Sequence, residues 1–185
     1  MDVFPQYPGR IEVICGPMFS GKSEELVRRT RRCVYANQKT IIFSRDTRYG
    51  KGLLKTHSGN ECKALFANNA EEILTHDLKG VDVIGIDEGQ FFGDQLSRVC
   101  TELSSQNIRV IVAGLDMDFE CKPFENIALL MGIAEHVTKL SAICMSPGCG
   151  SPATRSYRTT KAVERVLEGS KDIYIPLCRH CYENK

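Results

Sequence analysis

The chain lacks a surplus of charge of either sign. Its 24 Lys and Arg residues nearly balance 23 Asp and Glu, for a formal net charge of +1. That balance argues against a broad electrostatic footprint for nucleic acid, so no nucleic-acid partner is expected. No apolar run approaches the ~18 residues that a membrane span requires, and no membrane partner is expected either. The opening Met1-Asp2-Val3-Phe4-Pro5 has neither a basic stretch nor an apolar core, so a secretory leader is not expected. With secretion disfavoured, the odd count of nine cysteines reads as reduced thiols in a cytoplasmic setting rather than a disulfide scaffold. Internal repeats and low-complexity tracts are missing too. What is present is an ordinary globular composition, 42% hydrophobic and 25% charged over 185 residues, enough for one real core and a small appendage. The local basic cluster Arg28-Arg29 and Arg31-Arg32 falls on a helix and is read as a solvated face.

One run stands out. Gly16-Pro17-Met18-Phe19-Ser20-Gly21-Lys22-Ser23 satisfies G-x-x-x-x-G-K-[ST]. The apolar strand Arg10–Cys15 precedes it and a helix-forming stretch, about 24–37, follows. A loop between a strand and a helix N-terminus can turn backbone N–H groups toward phosphate oxygens. Lys22 would add a point charge on the β/γ-phosphates of a nucleoside triphosphate, and the Ser23 hydroxyl a ligand for Mg²⁺.

Strand and helix signals then alternate. Thr40–Phe43 reads as a strand leading into a polar loop with Asp46 and Arg48. Asn69 is placed to cap a helix, with Glu72 three residues on. Val81–Ile86 is a buried strand ending in Asp87-Glu88, and Leu96, Val99, Cys100 and Leu103 share one helix face. Ile108–Gly114 makes a further strand. Alternation of this kind predicts a doubly wound, mostly parallel α/β sheet of P-loop type. Sites in such sheets gather at the carboxyl ends of strands, where the phosphate loop, Asp46, Asp87, Glu88 and Asp116 all fall. Asp87 sits where a P-loop protein places the carboxylate completing the Mg²⁺ shell. Glu88 suits a general base that takes a proton from an acceptor hydroxyl or from water, and the pair alone does not choose.

Beyond about residue 142 the texture changes to Cys, Gly, Pro, Ser and Thr with little apolar periodicity. Two domains are therefore expected, 1–142 and 143–185. The second is too small for a core of its own. Cys144 with Cys149, and Cys178 with Cys181, form two close pairs whose thiolates can meet around one tetrahedral Zn²⁺. Four protein ligands make that metal structural. His180 is read as solvent-facing, and Cys33 and Cys100 as small hydrophobes on apolar helix faces.

At this point the chain resembles the zinc-containing, cytosolic-type (type II) thymidine kinases, over roughly residues 10–182. The resemblance rests on the phosphate loop, Asp46-Thr47-Arg48-Tyr49, Asp87-Glu88-Gly89-Gln90-Phe91-Phe92, Gly114-Leu115-Asp116, Lys122-Pro123-Phe124 and the cysteine pairs. It implies transfer of the ATP γ-phosphoryl to the 5′-hydroxyl of thymidine, and of deoxyuridine as a second acceptor. It makes Glu88 the base facing that hydroxyl and Arg48 the stabiliser of charge on the transferring group. Asp46 supports the Arg48 loop, and Thr47, Gly89 and Gln90 join the phosphate side. The implied nucleoside pocket is lined by Met18, Phe91, Leu115, Phe119 and Phe124. A loop tethered by the zinc, the lasso, covers it from Cys149 to Cys178. There Arg165, Val166, Leu167, Glu168 and Gly169 offer backbone groups, and Tyr174 a phenol. On residues alone Phe119 and Phe124 would be core aromatics. The resemblance further implies a homotetramer and feedback inhibition by thymidine triphosphate. It departs from the family at Cys144-x₄-Cys149, two residues longer than the usual spacing, and at Ser58, where some members are acidic. Loss of a zinc ligand, as in Cys178→Ser, is expected to impair nucleoside binding and leave phosphate contacts unaltered. Two other readings compete: a P-loop ATPase whose zinc ribbon contacts nucleic acid, with Glu88 activating water, and a zinc-stapled nucleotide sensor.

Overall fold

Side chains on the central strands alternate between two apolar cores, and that alternation builds the molecule. The computed structural model describes residues 9–45, 53–55, 61–160 and 173–185. In chain order, β1 (Arg10–Cys15) leads to α1 (Lys22–Tyr35), and β2 (Thr40–Ser44) is followed by a small hairpin, β3 (Leu53–Lys55) with β4 (Glu61–Lys63). Then come β5 (Leu65–Phe66), α2 (Ala70–Ile73), β6 (Val83–Asp87), α3 (Leu96–Ser105), β7 (Arg109–Gly114), α4 (Glu125–Ile133) and β8 (His136–Lys139). Six of these strands form one sheet in the order β5-β2-β6-β7-β1-β8, and every pairing in it is parallel.

Ile11, Val13 and Cys15 of β1, Phe43 of β2, Ile84 and Ile86 of β6, and Val110 and Val112 of β7 face one way. They pack on Ile73 of α2, Leu96, Val99, Cys100 and Leu103 of α3, and Ile127 and Leu130 of α4. The intervening Ile14, Val83, Ile111 and Ala113 face the opposite way, against Leu26 and Cys33 of α1. Both faces are covered, which is why these strands read as nearly continuous apolar runs. The α3 face expected from Leu96, Val99, Cys100 and Leu103 is buried as drawn. Asn69 Oδ1 accepts the Glu72 N–H at 2.9 Å, the anticipated cap, although the helix it opens is only four residues long. Helix α4 and strand β8 carry no pattern that had announced them; α4 is apolar nearly all round.

One face of α1 differs from expectation. Arg29 is not solvated: its side chain is 14% exposed and reaches Glu12 (3.0 Å), Glu25 (2.8 Å) and Thr138 (2.9 Å). Glu12, buried at the start of β1, also holds Arg10 (2.9 Å) and Arg109 (2.7 Å). Burial alone would raise the Glu12 pKa, but hydrogen bonds from Arg109 and Arg10 hold it down at about 2. This ion cluster closes the edge of the sheet opposite the phosphate loop.

The C-terminal lobe is built from β9 (Ala142–Ile143), β10 (Pro152–Ala153), β11 (Arg155–Arg158), β12 (Tyr174–Leu177) and α5 (Arg179–Glu183). Strands β9 and β10 pair antiparallel, as do β11 and β12. Among the described residues its apolar cluster holds Ala142, Cys144, Ala153 and Leu177 as its buried members. A core of that size cannot order a lobe by hydrophobic burial alone.

Candidate active site

Because all six strands run parallel, their carboxyl ends share one edge. Strands β6, β7 and β1 are neighbours there, so Asp87-Glu88, Leu115-Asp116 and the phosphate loop converge although Gly16 and Asp116 lie 100 positions apart in sequence. The loop begins at Gly16 with φ +142°, a conformation strained for any L side chain. A Cβ there would lie 2.4 Å from the Leu140 carbonyl, so glycine is required twice over. Ser20 Oγ and Lys22 Nζ both donate to the Pro17 carbonyl, at 2.9 and 2.7 Å, drawing the loop closed across its mouth. Gly21 in the left-handed region turns the chain into α1, whose N-terminus points its free N–H groups at the loop. Burial lowers the Lys22 pKa, while Glu88, Asp87 and Asp116 act to raise it.

The Ser23 hydroxyl donates to both oxygens of Asp87, at 3.0 and 3.1 Å. An alcohol and a carboxylate meeting beside a phosphate loop form a hard oxygen-donor set that fits Mg²⁺. Burial, and then the neighbouring Glu88 charge, push the Asp87 pKa up to about 7. A cation near these groups would relieve that repulsion.

Glu88 occupies the left-handed region, φ 54° and ψ 43°, costly for a glutamate and held by what surrounds it. Gln90 does the holding. Its Nε2 donates to Glu88 Oε2 at 2.6 Å, and its Oε1 accepts the Leu115 N–H at 3.0 Å. Gln90 is buried and both ends of its amide are engaged, so it braces the acid and binds the β6 loop to the β7 loop. Gly89 is likewise internal; a Cβ there would meet Val112 Cγ1 at 2.6 Å. Asp116, also buried, is the ionic partner of Lys139 at 2.8 Å, a pairing of charges rather than a well-directed hydrogen bond.

Around this floor stand the aromatic and apolar residues singled out by sequence. Met18, Phe91, Leu115 and Phe119 are half-buried. Phe124 is different: it is 8% exposed and belongs to the main core with Ile127 and Leu130, in agreement with its reading as a core aromatic. Tyr174 is buried in β12, and its phenol oxygen accepts from Arg158 Nη2 at 2.7 Å. The same guanidinium lies 3.6 Å from the centroid of the Phe119 ring, while Tyr182 Oη donates to the Phe119 carbonyl at 2.5 Å. Arg158 and Ser156 escaped the sequence reading, since polar residues in an aperiodic segment give no signal of burial. Asp46, Thr47, Arg48, Ser58, Arg165, Val166, Leu167, Glu168 and Gly169 lie outside the described residues.

The four sulfurs of Cys144, Cys149, Cys178 and Cys181 all lie within 4.8 Å of one another. Cys149 and Cys178 are 3.8 Å apart. Zn–S bonds of about 2.3 Å in a tetrahedron place sulfurs about 3.8 Å apart, so the set fits zinc. Hydrogen bonds from Ser151 lower the Cys149 pKa to about 6, while in the same cluster Cys181, despite a lowering hydrogen bond from Ser146, is pushed up to about 12 by Cys178 and Cys149. The two additional residues of the first pair are absorbed in a turn: Cys149 N–H donates to Ser146 O at 3.0 Å, with Gly148 and Gly150 both at positive φ. His180 is exposed on α5, and all nine cysteines are free of disulfides. Among the described residues no helix is long and apolar enough to cross a membrane.

Comparison with known proteins adds independent findings. A family profile described as thymidine kinase matches residues 9–182. Thymidine kinases from two strains of Bacteroides fragilis are each 46% identical over 177 residues, covering 95% of this chain and 87% of theirs. Among solved structures, AMPPCP-bound DnaA from Aquifex aeolicus matches at a TM-score of 0.45 and 14% identity, covering 74% of this chain and 42% of that one.

Proposed function

The chain belongs to the thymidine kinase family and phosphorylates thymidine with ATP, and from that premise we propose how its residues divide the work. The observation that carries the proposal is Glu88, an acid next to Asp87 held in a strained backbone by the Gln90 amide. Bracing of this kind fixes the aim of the carboxylate, as a base directed at one sugar hydroxyl requires. Glu88 accepts the proton of the thymidine 5′-hydroxyl as that oxygen approaches the γ-phosphorus. The loop amides, Lys22 and the α1 N-terminus hold the triphosphate and offset its charge. Ser23 and Asp87 would hold Mg²⁺, which when bound would offset the negative charge that develops on the transferring phosphoryl group. Arg48, by the family resemblance, supplies a further countercharge from the β2 loop.

Met18, Phe91, Leu115 and Phe119 form the apolar wall for the thymine ring. Phe124 supports that wall from the core, Tyr174 adds its phenol, and the stretch 165–169 adds backbone groups. A close wall around the base excludes purines by size and admits deoxyuridine, which lacks only the methyl. In this reading the chain divides into a nucleotide-binding part, 1–142, and a nucleoside-covering part, 143–185, stapled by zinc on Cys144, Cys149, Cys178 and Cys181. A cytoplasmic location, a homotetramer and inhibition by thymidine triphosphate belong to the same proposal.

ADP release from ATP, measured with thymidine, with single-stranded DNA and with neither, tests it. Dependence on thymidine supports the kinase with Glu88 as base. Stimulation by DNA would instead favour a zinc-ribbon ATPase, and release without either acceptor would make Glu88 an activator of water.

A further inference from the structure

The phosphate loop is not held by its own strand and helix alone. Met18 N–H donates to Ser156 Oγ at 3.0 Å, a bond spanning 138 positions between the loop and strand β11 of the C-terminal lobe. Phe19, the next residue, sits at φ 64°, a left-handed conformation that a bulky side chain ordinarily avoids. Its ring packs into the lobe's apolar cluster, the one that contains Cys144, Cys149, Cys178 and Cys181. A strained residue persists only where its surroundings over-determine it, and here the lobe supplies those surroundings.

The path from the cysteines to the loop is short. Leu177, adjacent to Cys178, pairs with Arg155, and Pro176 pairs with Ser156 in the β11–β12 ladder. Ser156 itself is 5% exposed, so its hydroxyl has a fixed aim rather than a choice of solvent partners. Fixing Cys178 fixes β12, β12 fixes β11, and β11 presents Ser156 Oγ to the Met18 amide.

We infer that the C-terminal lobe positions the ATP phosphate loop as well as covering the nucleoside, with Ser156 as the positioning residue and Phe19 as the anchor. The inference rests on reading Gly16–Ser23 as the ATP site. It runs against the expectation that a lost zinc ligand would leave phosphate contacts unaltered. Donor and acceptor sites are thereby joined through one lobe, so that ordering it for one substrate also shapes the loop that holds the other.

The test uses the full-length, zinc-loaded protein with thymidine absent, so that nucleoside contacts play no part. The dissociation constant of a non-hydrolysable ATP analogue is measured by calorimetry for the wild type, Ser156→Ala and Ser156→Thr, with melting temperature and zinc content in parallel. Ser156→Ala is expected to weaken the analogue about fivefold, the worth of one hydrogen bond, at unchanged zinc content and melting temperature. Ser156→Thr keeps the hydroxyl and is expected to restore wild-type affinity. Phe19→Ser, which removes the apolar anchor, is expected to weaken the analogue further. Wild-type affinity in Ser156→Ala, or a Ser156→Thr protein as weak as Ser156→Ala, overturns the inference. Failure of the wild type to bind the analogue at all would overturn the phosphate-loop reading, and the inference with it.

Discussion

The two halves of the site are held by opposite means. The phosphate side rests on a six-stranded parallel sheet with apolar cores on both faces, so topology alone brings Gly16, Asp87 and Asp116 to one edge. The side proposed to cover the nucleoside rests on two-stranded pieces around four thiols and, among the described residues, an apolar cluster with four buried members. The first kind of region places a catalytic group wherever a strand ends. The second has little apolar burial to order it, and its four converging thiols could fix its geometry through a metal. Rigid chemistry and adjustable cover are thus assigned to different physics within one chain.

The largest expected effect attacks the rigid side. Lys22→Met removes the charge that closes over the Pro17 carbonyl and would meet the phosphates. We expect kcat to fall at least about a hundredfold, with the melting temperature nearly unchanged, in steady-state and thermal measurements. A merely modest loss would mean that loop amides and helix dipole suffice.

Breaking the other side calls for removing zinc. Treatment with a strong chelator is expected to raise the KM for thymidine at least about tenfold while far-ultraviolet circular dichroism keeps the signal of the parallel sheet. Cooperative loss of the whole spectrum would erase the contrast, since both regions would then depend on the metal.

Glu12 separates stability from activity inside the sheet region. Glu12→Gln leaves Arg10, Arg29 and Arg109 without their shared carboxylate, and should cost about 3 kcal/mol in urea unfolding while both KM values stay put. The wild type carries a matching acid signature. Its Glu12 pKa is about 2 when folded against an ordinary 4.5, so this contribution is complete above about 4.5 and drains away as pH falls toward 2. Unfolding midpoints measured across that window should lose this dependence in Glu12→Gln.

The smallest effect sharpens the adjustable side. Arg158 stacks on Phe119 and donates to Tyr174, joining the two residues proposed to line the nucleoside pocket. Arg158→Lys keeps the charge but not the planar fork, and should raise the KM for thymidine about threefold with the KM for ATP unchanged.

The same division governs what could be read from the amino acids. Phosphate loop, central strands and the Asp87-Glu88 pair were legible because periodicity and motif spacing are local, and parallel topology does the rest. The four cysteines that converge were legible by type and spacing. Gln90 was assigned to phosphate, yet its amide faces Glu88 and the Leu115 N–H, a contact that only the meeting of the β6 and β7 loops creates. Arg29 was read as solvated because the buried Glu12 that captures it lies on another element. Helix α4 escaped because an element apolar all round shows no face. Ser156 and Arg158 escaped because burial in a small metal-stapled lobe leaves no alternation to read. For Gln90, Arg29, Ser156 and Arg158 the missing information was a contact distant in sequence.

The central claim is that Glu88 acts on the sugar hydroxyl rather than on water or structure. Single-turnover transfer from ATP to thymidine by Glu88→Gln tests it directly, with affinity for a non-hydrolysable ATP analogue as the control. The account predicts a transfer rate lower by about 10²- to 10⁴-fold at unchanged analogue affinity. A Glu88→Gln enzyme that phosphorylates thymidine at the wild-type rate contradicts it.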